Sequence, residues 1–387
     1  MKGNIWKMYV YQFLTGLHLI TGILVPFFTD EGTMSFEWTM GLQAWFWSLQ
    51  CIFEIPTGII ADVWGRRRSI IAGSIMFLCG IVAYVGFPHW LMFFLGSFFW
   101  ALGLALVSGA DESLLYDSLV ADGRTHESKR IIDNFNGLHR LGWTIGAPLA
   151  SFIGYTIGLK EVIYCMTIPF SCALLIAFTL KEPPRKRASY RETLTTAWKT
   201  IRRKQALRAI IANDILIAAA LLSSLWIHQE LLGKLSVPIV WYGWVQTGFM
   251  GVAVLLLLGG LIPRIEKIIG SRRGYLLLSA LVPAFGIAIF GFIVSQTLAI
   301  FFAIVILGFG LARSSPLMNY FNKYVDSRER ATAASLRNAF QSLAAAFFNL
   351  FVGIIAAWSL ACAFFFLGAA IGFVAICSPL REEYLID

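Results

Sequence analysis

The chain has 387 residues, 58% of them hydrophobic and only 14% charged, with a mean hydropathy of +0.72. Soluble domains carry about one quarter charged residues, so this balance excludes an ordinary soluble protein and points to a chain solvated by lipid. The formal net charge of +9 would suit nucleic acid, but the placement of the basic residues assigns it to membrane topology instead.

A bilayer core of about 30 Å needs about 20 apolar residues per helix. Twelve stretches of that order run along the chain: 5–28, 38–61, 69–87, 90–119, 131–157, 161–180, 206–232, 238–262, 274–293, 296–321, 331–356 and 359–378. The first follows Lys2 and Lys7, is too long for a signal-peptide core and is expected to be a retained span. The fourth and tenth are overlong, so their last turns are expected to leave the bilayer. Between the sixth and seventh lies "KEPPRKRASYRETLTTAWKTIRRK", residues 181–204. Its proline pair stops the preceding helix, and "YRETLTTAWKTIRR" is expected to form a short amphipathic helix on an anionic leaflet. The expected organisation is all-α: a six-helix bundle over 1–180, a basic linker over 181–205 and a second six-helix bundle over 206–387.

With the N-terminus in the cytoplasm, 26 of the 31 Lys and Arg fall in cytoplasmic segments. Two, Lys160 and Lys234, fall on the opposite side, and Arg140, Arg313 and Arg337 lie within spans. The positive-inside rule therefore places both termini in the cytoplasm of a multi-pass protein of the cell membrane. Six cysteines fall in apolar runs with no Cys-x-x-Cys or Cys/His cluster, which supports neither a disulfide framework nor a metal site.

Two blocks repeat at an offset of 205: "ADVWGRRR" (61–68) over "EKIIGSRR" (266–273), and "LGLALVSGADESLLYDSLV" (102–120) over "LGFGLARSSPLMNYFNKYV" (307–325). A duplicated six-helix unit is the reading. The connection between the second and third spans carries Gly58, Asp62, Gly65, Arg66 and Arg67. Gly65 suits a tight reversal, Gly58 a close helix approach, and Asp62 can pair with a loop arginine or cap a neighbouring helix. Such a pair would latch the cytoplasmic side in one conformational state.

Six plus six spans, a basic central loop and this Gly-x-x-x-Asp-x-x-Gly-Arg-Arg loop resemble the major facilitator superfamily, with Val63 standing where a basic residue is usual. The resemblance implies two six-helix halves with a substrate path between them, worked by alternating access. It also implies that the first, fourth, seventh and tenth helices line the path, which would set Arg313 opposite the acids of the fourth. The fifth span, "GWTIGAPLASFIG", is similar at Gly142, Gly146, Pro148 and Gly154 to the antiporter signature of drug-proton exporters. It lacks their terminal Gly pair. Read from the residues alone, these small side chains allow close helix packing.

Intramembrane charges cost about 2.5–3.5 kcal/mol each at mid-bilayer and are functional candidates by default. Asp111 and Glu112 lie about ten residues inside the end of the fourth span, and adjacent helical residues point about 100° apart. Arg140 lies ten residues inside the fifth, so an ion pair with one of these acids is expected. Arg337 has Asp214 as its sole acidic candidate in its own half. His18, Glu54 and Asp117 are lesser candidates, Asp117 being near enough to the span end to be wet. Burial raises a carboxylate's pKa and a nearby Arg lowers it, so movement of such a pair would exchange a proton.

No Walker-type Gly-x-x-x-x-Gly-Lys-Ser/Thr stretch and no catalytic motif is present, so neither ATP nor an enzyme activity is expected. The expected function is proton-coupled efflux of small organic or drug-like molecules, without cofactor, metal or nucleic acid and by a monomer. The alternative is a proton-coupled uptake symporter for a polar metabolite. An integral membrane enzyme would need a His/Asp/Ser set at one interface, and a non-transporting sensor a long soluble extension. Trp45, Trp47, Trp100, Trp241, Tyr242 and Trp244 are expected as interface anchors.

Overall fold

The computed structural model describes residues 3–86, 89–183, 190–258, 261–325 and 330–385, with the side chains of residues 62, 190–195, 197, 258, 330 and 331 outside that description. Every element is helical, with no strand among the described residues. The chain divides into two compact units, Met1–Thr33 with Trp45–Thr193, and Met34–Ala44 with Leu194–Asp387.

The first unit opens with α1 (Asn4–Gly16), which breaks at Leu17. A 3-10 turn (Leu19–Gly22), the three-residue α2 (Leu24–Pro26) and a π turn (Phe27–Glu31) follow, and the two limbs meet at 65°. Then come α3 (Phe36–Trp64, of which the residues up to Ala44 belong to the second unit), α4 (Arg66–Gly86), α5 (Trp90–Val107), α6 (Ala110–Ala121), α7 (Ser128–Thr156) and α8 (Leu159–Thr179). The fourth span is therefore not one regular helix. Gly109 adopts φ +74°, the left-handed region open to glycine, and splits it into α5 and α6. That break makes Asp111 and Glu112 first-turn residues of a new helix.

The second unit contains α9 (Tyr190–Arg203, which begins in the first), α10 (Gln205–Lys234), α11 (Val240–Leu258), α12 (Leu261–Ile269) and α13 (Arg272–Phe290). Its tenth span is α14 (Gln296–Phe302), a π turn (Ala303–Leu307), α15 (Gly308–Ala312) and α16 (Ser314–Tyr324). The last two helices are α17 (Arg330–Trp358) and α18 (Leu360–Cys377). The short polar helix α9 covers the sequence expected for it. Its Trp198 ring lies 6.0 Å from that of Phe340, with the Arg202 guanidinium 5.9 Å above Trp198.

Among the described residues, nine helices are long and apolar enough to cross a bilayer, or ten if the bent first pair counts as one span. Two further helices, α3 and α7, are each 29 residues long; α7 carries Lys129, Arg130, Asp133 and Arg140 along its length. Large apolar side chains point outward rather than inward on many helices: Ile168 and Leu175 on α8, Phe373 and Ile376 on α18 are each about two-thirds exposed. So much outward apolar surface fits lipid, not water.

The cores are conventional in composition. In the first unit Phe27, Phe28, Tyr84 and Phe93 form a ring cluster with edge-to-face contacts at 5.2–6.3 Å. In the second, Leu207, Ile210, Leu276, Leu317 and Phe321 pack together. Helices α1 and α7 approach most closely at glycine: a Cβ on Gly142 would lie 2.5 Å from the Phe13 carbonyl, and one on Gly16 would strike the His139 carbonyl. A Cβ on Gly146 would meet Leu17 at an ordinary 3.5 Å, so Gly142 alone of the pair is needed for this contact. Pro148 lies inside α7, with the Ser151 hydroxyl donating to the Ala147 and Pro148 carbonyls. Two expected interface anchors belong to cores instead. Trp100 is buried against His18, and Tyr242 is also buried, whereas Trp45, Trp241 and Trp244 are exposed.

Candidate functional site

Three groups of polar residues stand out, and each is built within one unit. The first is the reversal between α3 and α4. Gly65 takes φ +113°, and the chain turns directly into α4. The free N–H groups of that first turn need acceptors. The Glu182 carboxylate, just past α8, accepts from Arg66 N at 3.0 Å and Arg67 N at 2.8 Å. The Arg66 guanidinium pairs with the Asp117 carboxylate and donates to the Ser113 carbonyl at 2.5 Å, while Arg67 Nη2 donates to the Phe178 carbonyl at 2.7 Å. The reversal is thereby tied to the ends of α6 and α8. Gly58 sits half-buried on α3, and the Asp62 side chain lies outside the described residues.

The second unit repeats this construction. Gly270 takes φ +75°, and Ser271 caps α13 by accepting from Gly274 N at 2.9 Å. The Glu382 carboxylate, just past α18, accepts from Arg272 N and Arg273 N, each at 2.8 Å, and from the Ser271 hydroxyl at 2.7 Å. Burial alone would raise the Glu382 carboxyl. The Ser271 hydroxyl, the Arg273 and Arg272 amides and the Arg272 charge outweigh it and hold the group below the usual carboxylate range.

Sequence reasoning missed Glu182, counting it only as part of a charged linker, and left Asp117 as a wet residue. The missing signal was present: each half places a glutamate just after its last helix, in "KEPP" and in "REE".

The second group surrounds the break in the fourth span. Glu54, on α3, is buried; its carboxylate accepts from Gln50 Nε2 at 3.1 Å and from the Ser108 hydroxyl at 3.4 Å. Asp111 is also buried, and its Oδ1 accepts from Glu112 N at 2.7 Å, capping the start of α6. Glu112 is exposed and accepts from Asn136 Nδ2 on α7 at 2.7 Å. The expected ion pair with Arg140 is not formed: Arg140 is exposed and bonds to neither acid. Glu112 does face α7, but meets it at Asn136, one turn short of Arg140, while Asp111 turns its carboxylate to the backbone of the new helix. His18 stacks on Trp100 with ring centroids 4.6 Å apart and meets Phe170 edge-on at 6.5 Å, a packing role.

The third group is cationic and lies in the second unit. Adjacent residues of α10 hold two arginines. Asp214 accepts from Arg337 Nε at 2.7 Å and also pairs with its Nη2; Asn213 Oδ1 accepts from Arg313 Nη2. Arg313 Nε donates weakly to the Leu276 carbonyl at 3.4 Å, and the residue is 2% exposed. Among the described residues no cluster of His, Cys, Asp and Glu could hold a metal ion.

The sequence profile described as Major Facilitator Superfamily matches residues 12–347. The chain belongs to the major facilitator superfamily. Solved structures of similar fold agree with that membership. The nucleoside transporter NupG is similar at a TM-score of 0.75 and 15% identity, covering 97% of this chain and 98% of its own. A POT family transporter in complex with 5-aminolevulinic acid is similar at 0.74 and 13% identity, covering 99% and 96%. A D-xylose-proton symporter is similar at 0.69 and 14% identity, covering 98% and 97%. No curated protein matches the sequence. As a superfamily member with many apolar helices, the chain is a multi-pass membrane protein and a transporter.

Proposed function

We propose that this protein is a proton-coupled secondary transporter that moves a small organic solute by alternating access, through twelve crossings with both termini cytoplasmic. The observation that carries the reading is superfamily membership across residues 12–347. The distribution of 26 basic residues on one side against two on the other supports the orientation. The coupling group is assigned to the acids near the α5–α6 break, Glu54, Asp111 and Glu112. A buried carboxylate with no ion-pair partner, such as Asp111, is one whose protonation a conformational change can alter.

Efflux of a drug-like solute is the leading direction and rests on the antiporter-like pattern at Gly142, Gly146 and Pro148. Uptake is the second reading, favoured by the similarity to a D-xylose-proton symporter. The protein acts in the cell membrane as a monomer, without ATP or cofactor.

A ligand found by thermal-shift screening would be followed in liposomes containing the purified protein. The expected result is that Glu54→Gln, Asp111→Asn or Glu112→Gln abolishes uphill transport driven by a pH gradient while counterflow of labelled solute persists. Wild-type uphill transport in all three variants would remove these acids from coupling. The sign of the gradient that drives accumulation decides between efflux and uptake.

A further inference from the structure

Within the second unit, a small crevice lies between α10, α13, the α15–α16 junction and the end of α18. Its wall carries the side chains of Arg273 and Arg313, Asn213 and Ser378, set beside Leu276 and Leu277. Among the described residues no carboxylate lines it.

The charge balance around it is uneven. Arg313 is buried, and its hydrogen bonds run to neutral acceptors, the Asn213 amide and the Leu276 carbonyl. The neighbouring carboxylate, Asp214, gives Oδ2 to Arg337. A buried and a half-buried guanidinium therefore share one carboxylate, which leaves one positive charge over. A buried cation that only shares its counter-charge is unfavourable, and a crevice beside it is where a further counter-charge can enter. Arg273, exposed at the start of α13, adds a second cation at the same crevice.

We infer that this crevice binds a phosphodiester anion, gripped by Arg313 from within and Arg273 from the rim. Guanidinium forks match phosphate oxygens in pairs, and Ser378 and Asn213 offer further donors. One phosphodiester carries one negative charge, the amount left uncompensated. Leu277 lines the crevice and is 37% exposed, and Leu278 beside it is 40% exposed, so an apolar strip for a glycerol backbone or acyl chain continues from the phosphate position along α13. The same chemistry is available from a lipid headgroup or from soluble phosphate. The site is remote in sequence from the acids of the first unit and does not rest on the transport reading.

The test is thermal unfolding of the purified full chain in neutral detergent at matched ionic strength. The additives are dihexanoyl phosphatidylglycerol, dihexanoylglycerol without phosphate, and inorganic phosphate. The phosphatidylglycerol is expected to raise the unfolding midpoint by about 3 °C or more, and the neutral glycerolipid to leave it unmoved. Arg273→Ala should at least halve the shift and Arg313→Gln abolish it; should Arg313→Gln not fold, Arg273→Ala alone decides. Stabilisation by phosphatidylglycerol only assigns the site to a lipid headgroup, and stabilisation by inorganic phosphate as well assigns it to phosphate from either source. No shift with either phosphate compound, an equal shift with dihexanoylglycerol, or an undiminished shift in Arg273→Ala would overturn the site.

Discussion

The two units share a backbone device and differ in buried charge. At the start of α4 and of α13, a left-handed glycine turns the chain and a glutamate from just beyond the unit's last helix caps the new one. Inside, the first unit buries carboxylates, Glu54 and Asp111, held by neutral donors. The second buries Arg313 and half-buries Arg337, with Asp214 as the acid beside them. The contrast separates what backbone geometry demands from what buried chemistry allows. Both units must satisfy the free N–H groups at a helix start, whereas the charge each one buries differs.

The contrast can be broken most strongly at Asp214. Removing it by Asp214→Ala strands one buried and one half-buried guanidinium and should destabilise the protein by about 3 kcal/mol, read as a lower unfolding midpoint in detergent. Adding Arg337→Met should recover much of that loss. In the first unit the matching change should do little. Asp111→Asn keeps an acceptor for Glu112 N and removes a lone buried charge, so the unfolding free energy should change by less than about 1 kcal/mol or rise. A large loss here would mean that Asp111 is held by a cation after all.

The shared device makes a smaller claim. Glu182→Gln and Glu382→Gln should each cost about 0.5–1 kcal/mol, at the low end of capping effects because both carboxylates are exposed. Unequal losses would show that the two caps are not equivalent. The smallest effect is the pH dependence of the Glu382 cap. Its folded carboxyl titrates below the usual value, so the unfolded chain binds more protons over that interval and stability rises with pH. The contribution is whole above the ordinary carboxyl value of about 4.3 and is lost as pH falls through the lowered one. Unfolding midpoints of the wild type and Glu382→Gln should therefore differ near neutrality and converge in acid.

Much of this arrangement was legible in the sequence, for a physical reason. Apolar runs long enough to cross a bilayer, the short helix at Tyr190–Arg203 and the paired Gly-Arg turns are all local signals. The Asp214 partner of Arg337 was legible by elimination, since few acids lie in that half. What escaped was direction. The depth of Arg140 matched that of Asp111 and Glu112, but with the helix restarted at Gly109, Asp111 caps its backbone and Glu112 meets α7 at Asn136 instead. The dipeptide "SG" at 108–109 was the available warning. The break after Gly16 carried a weaker one, because "LHLITG" reads as continuous apolar helix. Trp100 and Tyr242 were assigned to interfaces by residue type, and tertiary packing placed them in cores.

The contact of α1 with α7 has a mechanical consequence. With the Phe13 and His139 carbonyls seated in the notches left by Gly142 and Gly16, backbone meets backbone and no side chain is present to swap rotamers and absorb a slip. The two helices are geared at that point. Any swing of the outer limb of the first span must be taken up by the dihedrals of residues 17–23, where the helix is already unwound.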